Sequence, residues 1–519
     1  MEREKESGSD SSWLSWFMVV GFLLWITLQG WFDLWIIVII ATWYFGLVYL
    51  ERIGVLDNWN ATRVLGIILM IRTGRGKVAL EQVSRPRKFW RIYGEISIWM
   101  CFIVMLGVVL LLFLAALSTA AAPAGQEVLP ASDLLLIPGV TSFVPLKWPF
   151  IAMVVALVIH EYSHGIQARA HGMQIRSFGL LLAGAIPVGA FAEPEYDEMS
   201  IAPRRERMRL YAAGPSINLL ATFVVLVLLS ATANGFVAQN PGVHATGIIK
   251  GTGAEDAGLL PYETITHIND VRITDYEDFA DAMKPYSSGE IANFTVISSF
   301  NDNSETRVIQ ITFTDRWQYY MDDCQQTEGC DIEQRQQLME KLGIEQGDPF
   351  VGVSNLGSNT AGVDHWAFLF DDRFNPGQKG LILLFSPIMK LDNPYKPGLL
   401  GTPIELDGHT IPLQQRGMLT AGDGPIASTL GTDLMLDTYD FLFWLAWINF
   451  LLGFANLIPM IPFDGGHLVK DGTHSLLRRV MKKSDPIRVE SYASRLSSYS
   501  SLLILFILLI PIIIPRLYI

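Results

Sequence analysis

Hydrophobic residues in this chain gather into long unbroken runs. Seven runs reach or approach the roughly 18–20 residues that cross a bilayer: Trp13–Leu28, Leu34–Leu50, Ile98–Ala120, Trp148–Gln167, Met208–Ser230, Phe441–Pro459 and Leu502–Pro515. They predict seven membrane helices. Between the fifth and sixth runs the pattern changes to short β-like stretches separated by Gly turns, "ATGII", "ITHINDVRI", "ANFTVISS", "TRVIQITFT" and "DPFVGVSN". Within it, "TDYEDFADAMK" reads as a short amphipathic helix capped by Asp275 or Thr274. After the fourth run, "MQIRSFGLLLAGAIPVGAFAEPEYDEM" is apolar but dense in Gly and Pro, which disfavours a straight helix. A re-entrant hairpin and a loop on the membrane surface both fit it.

The expected fold is a polytopic α-helical membrane protein of about seven transmembrane helices, with a membrane-associated β-hairpin and an inserted α+β domain. Residues 1–121 hold the first three helices and a basic loop. Residues 122–233 hold the fourth and fifth helices and the hairpin. The inserted domain is 234–359, itself interrupted at 316–347, and 360–437 is a Gly/Pro-rich connector. Residues 438–472 form the sixth helix, and 473–519 a basic loop and the last helix. The 12-residue apolar stretch "GLILLFSPIMKL" in the connector is too short to span.

Composition supports this picture: half of the 519 residues are hydrophobic and only 17% are charged. Charge supplies an orientation. Glu51–Arg91 carries nine Lys and Arg against three acids, Asp464–Ser498 seven against four, and Gln167–Arg209 six arginines. With seven spans these loops share one side, which the positive-inside rule makes the cytoplasm. The mixed-charge "MEREKESGSDSS" then reads as a cytosolic tail ahead of a retained helix. The segment from about Asn234 to Asp437 falls outside, with 29 acids against 12 bases, a net of −17. That acidity argues against nucleic acid as a partner. Cys101 lies within a run and packs there, while the spacing of Cys324 and Cys330 is compatible with a bridge or with two free thiols.

The fourth run contains "VIHEYSHG". On a helix, His160 and His164 share a face and can bind one metal, and Glu161 stands beside them to take a proton from a water. Two neutral imidazoles and a third ligand suit zinc with one open position. Three such groups inside hydrocarbon point to function, since burying them there is costly. His160 lies ~18 Å along the helix from Trp148, in the inner half of a ~30 Å core. The sixth run ends in "NLIPMIPFDGG", where the prolines break the helix and the glycines permit a tight turn. Asp464 at this broken end is the candidate third ligand. Asn218, in "GPSIN", is a polar group within the fifth run.

HEYSH in one membrane helix, NLIPMIPFDGG in a later one and a domain inserted between them resemble the site-2 protease family of intramembrane zinc metalloproteases. The inserted domain, through "AEDAGL" and "ITHINDVRI", resembles an extracytoplasmic PDZ domain. Phe463 stands where the family usually has Leu. The resemblance covers about Trp148–Gly472. It implies one catalytic Zn2+ held by His160, His164 and Asp464, with Glu161 as catalytic base. It further implies substrate contacts at Asn456, at Gly189 in the hairpin "IPVGAFAEP", and at Asn218. His171 and His467 are read as structural.

The expected activity is hydrolysis of a peptide bond within or next to a transmembrane helix of another membrane protein, on the cytosolic half of the bilayer. The PDZ-like domain would take a peptide or C-terminus by strand addition. Two other classes remain open on the residues alone: a metal-ion transporter, which would usually distribute ionisable groups over several helices, and a non-catalytic PDZ-bearing adaptor, which would not need Glu161.

Overall fold

Arg87–Ala121 is one continuous helix of 35 residues, although only its part from Ile98 onward reads as apolar. At ~1.5 Å per residue it exceeds a ~30 Å hydrocarbon core, so its Arg-rich start extends beyond the lipid. A computed structural model of the chain describes residues 34–64, 66–74, 76–121, 144–184, 186–298, 306–327, 329–359, 408–411 and 413–517, with positions 21, 138–139, 141, 378 and 399–400 besides. The first expected span, except Gly21, and the connector stretch at 380–391 lie outside the described residues.

The elements run in chain order as follows. They begin with α1 (Leu34–Arg52), β1 (Ala61–Val64), β2 (Ile68–Thr73), α2 (Lys77–Ser84), α3 (Arg87–Ala121) and α4 (Lys147–Ala170). Next come β3 (Ile175–Ala183), β4 (Ile186–Pro194) and α5 (Arg204–Ala233). The middle of the chain supplies β5 (Val243–Ile249), β6 (Thr264–Ile268), α6 (Tyr276–Met283), β7 (Ile291–Ile297) and β8 (Thr306–Thr312). It continues with α7 (Arg316–Gln326), α8 (Ile332–Lys341) and β9 (Val353–Ser358). The chain closes with α9 (Pro425–Ala455), α10 (Asp464–Val480) and α11 (Pro486–Leu517).

Among the described residues five helices are long and apolar enough to cross a membrane: α3, α4, α5, α9 and Pro486–Pro515 of α11. The protein is therefore a multi-pass membrane protein. The second expected span forms α1, of 19 residues. The later helices start well before their apolar runs, α9 at Pro425 with a break at Gly431 and α11 at Pro486. Hydropathy marks the part of a helix that sits in lipid and is blind to its polar extensions.

The chain divides into two units, one of residues 1–225 with 444–519 and one of residues 226–443. In the first, Ile98, Cys101, Met105, Met208, Ala212, Leu457 and Leu468 form a core joining α3, α5, the turn after α9, and α10. Its β structure is an antiparallel sheet in the order β1-β2-β3-β4. The Gly/Pro-rich segment thus folds as the hairpin β3–β4. Strands β1 and β2 come from the basic loop after α1, where no strand was expected. "ATRV" and "ILMIRT" are too short to show a clear period of two, and β2 is recognisable only through its pairing with β3.

The second unit carries an antiparallel sheet ordered β8-β7-β6-β5-β9. The strands and the helix read in that segment are all present. Asp275 caps α6 by accepting from the N–H of Asp278. Val243, Ile248, Ile265, Ile268, Phe294, Val296, Ile311 and Phe313 fill the space between sheet and helix. The insertion at 316–347 folds as α7 and α8 around Met321, Met339 and Ile344, and Cys324 and Cys330 form a disulfide.

Candidate metal centre

Helix α4 places His160 and His164 one turn apart, with their Nε2 atoms 3.1 Å from each other and both residues buried. Each imidazole is held at its other nitrogen. Nδ1 of His164 lies 2.7 Å from the carbonyl oxygen of Leu210, which can only accept, so Nδ1 carries the proton. Nδ1 of His160 lies 2.9 Å from Oδ1 of Asn218. Asn218 Nδ2 donates to Ala156 O at 3.3 Å and to Asn449 Oδ1 at 3.0 Å, which assigns Oδ1 as the acceptor for His160. In their neutral form both histidines direct an unprotonated Nε2 toward the same point, as metal-binding imidazoles do.

Asp464 faces that point from α10. Its Oδ2 lies 3.3 Å from His160 Nε2 and 3.4 Å from His164 Nε2. Asp464 opens α10 as its first residue, where the sequence suggested a carboxylate at the broken end of the preceding helix. The chain reverses between α9 and α10 within a few residues. The N–H of Gly465 donates to Asn456 O at 2.7 Å and that of Gly466 to Phe463 O at 3.0 Å. A Cβ on Gly465 would stand 2.7 Å from the carbonyl of Ile458, and one on Gly466 2.5 Å from Met460 C. The two glycines after the aspartate are thus required by backbone crowding. Arg207 of α5 anchors α10 two turns further on, donating to both oxygens of Asp471 at 3.0 and 2.6 Å.

Glu161 points to the hairpin side. Its Oε2 accepts from the backbone N–H of Ala192 on β4 at 2.9 Å. Ligand atoms of His160, Glu161 and His164 all lie within 4.8 Å of one another. Gly214 on α5 closes the opposite side, where a Cβ would stand 2.4 Å from His164 Nε2 and 2.5 Å from His160 Nε2. Only glycine leaves that space free. Two neutral Nε2 donors, a carboxylate and a glycine-lined gap fit a zinc ion with an open position.

The other expected residues make different contacts. Asn218, expected to hold substrate, is fully buried, and its amide is engaged by His160, Ala156 and Asn449. Asn456 donates to Leu452 O and accepts from Gly465, so it shapes the turn into α10. Gly189 lies on β4 opposite Leu181. His467 stacks on Tyr211, ring centroids 4.8 Å apart, and His171 lies 3.5 Å from Glu206. Asn449 was missed, although a lone amide in "WLAWINFLL" is its signal. The Ala192 N–H and the Leu210 carbonyl are backbone groups that leave no trace in side-chain identity.

Comparison with known proteins agrees with this geometry. The model of peptidase family M50 matches residues 149–504. An uncharacterized protein of Methanocaldococcus jannaschii is 29% identical over 184 residues, 36% of this chain and 49% of that protein. Zinc metalloprotease Rip1 of Mycolicibacterium smegmatis is 43% identical over 44 residues, 8% of this chain and 11% of that protein. The aligned segments span about half the length of the first relative and a small part of the second. The family match runs from ahead of the paired histidines to beyond the aspartate that faces them, and the chain belongs to peptidase family M50, the site-2-protease-like zinc metalloproteases of membranes.

Proposed function

We propose that this protein is an intramembrane zinc endopeptidase that cuts within or next to a transmembrane segment of a membrane-protein substrate. The observation that carries the reading is the approach of Asp464 Oδ2 to both histidine Nε2 atoms, with Glu161 beside them. A zinc ion held by His160, His164 and Asp464 would supply a Lewis acid for the scissile carbonyl and lower the pKa of a water. Glu161 takes the proton of the attacking water and returns it to the leaving amine. Asn218 and Leu210 hold the imidazoles in the tautomer that leaves Nε2 free.

A helical substrate must unwind to expose a carbonyl. The outer edge of β4 lies against Glu161, where an unwound segment could add as a strand. Asn456 and Gly189 are the substrate contacts in this reading. The unit of β5–β9 is a PDZ-like domain that engages a peptide or chain terminus and limits access by substrates with large ectodomains. In this reading the site lies on the cytosolic half of the membrane and this domain outside, which the clustered Lys and Arg support, and the Cys324–Cys330 bridge suits an oxidising compartment.

The test is purified protein with a single-span substrate in detergent, compared with Glu161→Gln and with chelator-treated enzyme. Cleavage by wild type alone, with one zinc retained in the variant, is expected. Equal cleavage by Glu161→Gln would sink the reading.

A further inference from the structure

Tyr162 stands between the base and the second histidine turn in HEYSH, and its side chain leaves the metal face of α4. Its ring stacks on Phe178 of β3, with centroids 5.1 Å apart and planes 13° from parallel. Its hydroxyl donates to the carbonyl of Gly76 at 2.6 Å. Phe178 is paired with Thr73 on β2 and with Ala192 on β4. Ala192 is the residue whose N–H holds Glu161. The contacts therefore close a ring: Glu161 to Ala192, Ala192 to Phe178 across the hairpin, Phe178 to Tyr162, and Tyr162 back to Glu161 through one peptide bond.

Strand β2, Gly76 and helix α2 brace this ring, and they precede the segment matched by the family. Lys77 Nζ donates to Arg176 O at 2.7 Å, tying the start of α2 to β3. Arg169 Nε on α4 donates to Glu81 Oε2 at 2.7 Å. Leu80 is buried against Gly165, where a Cβ would come within 3.2 Å of its Cδ1. Gly76 has φ +91°, and a Cβ there would stand 2.8 Å from the Tyr162 hydroxyl, so both its conformation and its neighbour require glycine. Strand β2 also covers the outer edge of β3, leaving β1 and β4 as the sheet's edges. The β4 edge is the one at Glu161.

We propose that Tyr162 is a positioning residue of the active site: with Phe178 and Gly76 it sets the hairpin so that the Ala192 N–H meets Glu161 and fixes the orientation of its carboxylate. Strand β2, Gly76 and helix α2 are the mount on which this depends. The inference rests on Glu161 being the base, and the hydrogen-bond geometry can be read without any cleavage.

The experiment uses the full chain in detergent with Tyr162→Phe, Tyr162→Ala and Gly76→Ala. Zinc content, hydrogen exchange at the Ala192 amide, and kcat and KM on a single-span substrate are measured. All three variants should retain one zinc. Tyr162→Ala should exchange at Ala192 about tenfold faster and lose about 10- to 100-fold in kcat with KM little changed. Tyr162→Phe keeps the stack and should lose only about threefold, with Gly76→Ala between the two. Unchanged exchange and kcat in Tyr162→Ala would overturn the proposal. So would a Phe variant as damaged as the Ala variant with zinc lost in both, which is the mark of a purely structural role. If wild type cleaves nothing while the exchange difference persists, the positioning stands and the protease reading fails. If wild type cleaves and exchange is unaltered, the positioning fails alone.

Discussion

His160 and Asn218 are joined by a 2.9 Å contact between Nδ1 and Oδ1, and Asn218 passes the constraint to Asn449 on α9. Three helices thus fix one imidazole. The amide chain works in a single orientation, because Asn218 spends both its acceptor and its donor. Asn218→Ala should weaken zinc binding about 10- to 100-fold, and Asn449→Ala should weaken it less. Competition of zinc-loaded protein against a chelator of known affinity measures both.

Gly214→Ala should abolish zinc binding while leaving the helices assembled. The added methyl would stand 2.4 and 2.5 Å from the two Nε2 atoms, inside the space the ion needs. Metal content after purification, beside an unchanged helical circular-dichroism signal, is the measurement.

The Arg207–Asp471 pair is bidentate, with Asp471 almost fully buried. Removing one partner strands the other, which typically costs about 3 kcal/mol. Asp471→Asn should therefore lower the thermal midpoint markedly in detergent. The double variant Arg207→Met, Asp471→Leu should recover much of the loss, since no lone charge is left behind.

His244 on β5 lies outside the membrane helices and is buried. Burial pushes its imidazole below the usual value, against a smaller upward pull from its hydrogen bond to Asn359. The unfolded chain takes up the proton first, near pH ~6.5. Stability from this group is thus complete above that pH and declines as pH falls below it. Thermal scans from pH 7.5 to 5 should show the decline, and His244→Asn should flatten it.

The Cys324–Cys330 bridge closes a loop with six residues of sequence separation. Chain-entropy arguments give such a small loop about 2 kcal/mol. Cys324→Ser with Cys330→Ser should speed amide exchange in α7 and α8 and leave the sheet of β5–β9 unaffected. Thiol labelling in cells should find both cysteines blocked, as the outward placement requires. Free thiols there would reverse the proposed topology.

Much of the site was legible in the sequence because its parts are side chains at fixed helical spacing. HEYSH needs only the 3.6-residue turn to bring its histidines together, and the glycines after Asp464 announce a turn whatever packs around it. The five long apolar helices among the described residues were equally plain, since lipid demands long apolar runs, while their polar ends were invisible to the same criterion. Asn218 shows the limit: the residue was noticed, yet its partner depends on which helix lies opposite. What only the tertiary structure decided was pairing at a distance. Strand β2 joins β3 across about a hundred residues, the Ala192 backbone reaches Glu161, and Asp464 meets the histidines some 300 residues after them. Local sequence specifies periodicity and turns, because those follow from neighbouring backbone angles. Contacts between distant segments follow from how the helices and strands pack against one another, and no short stretch of this chain encodes that.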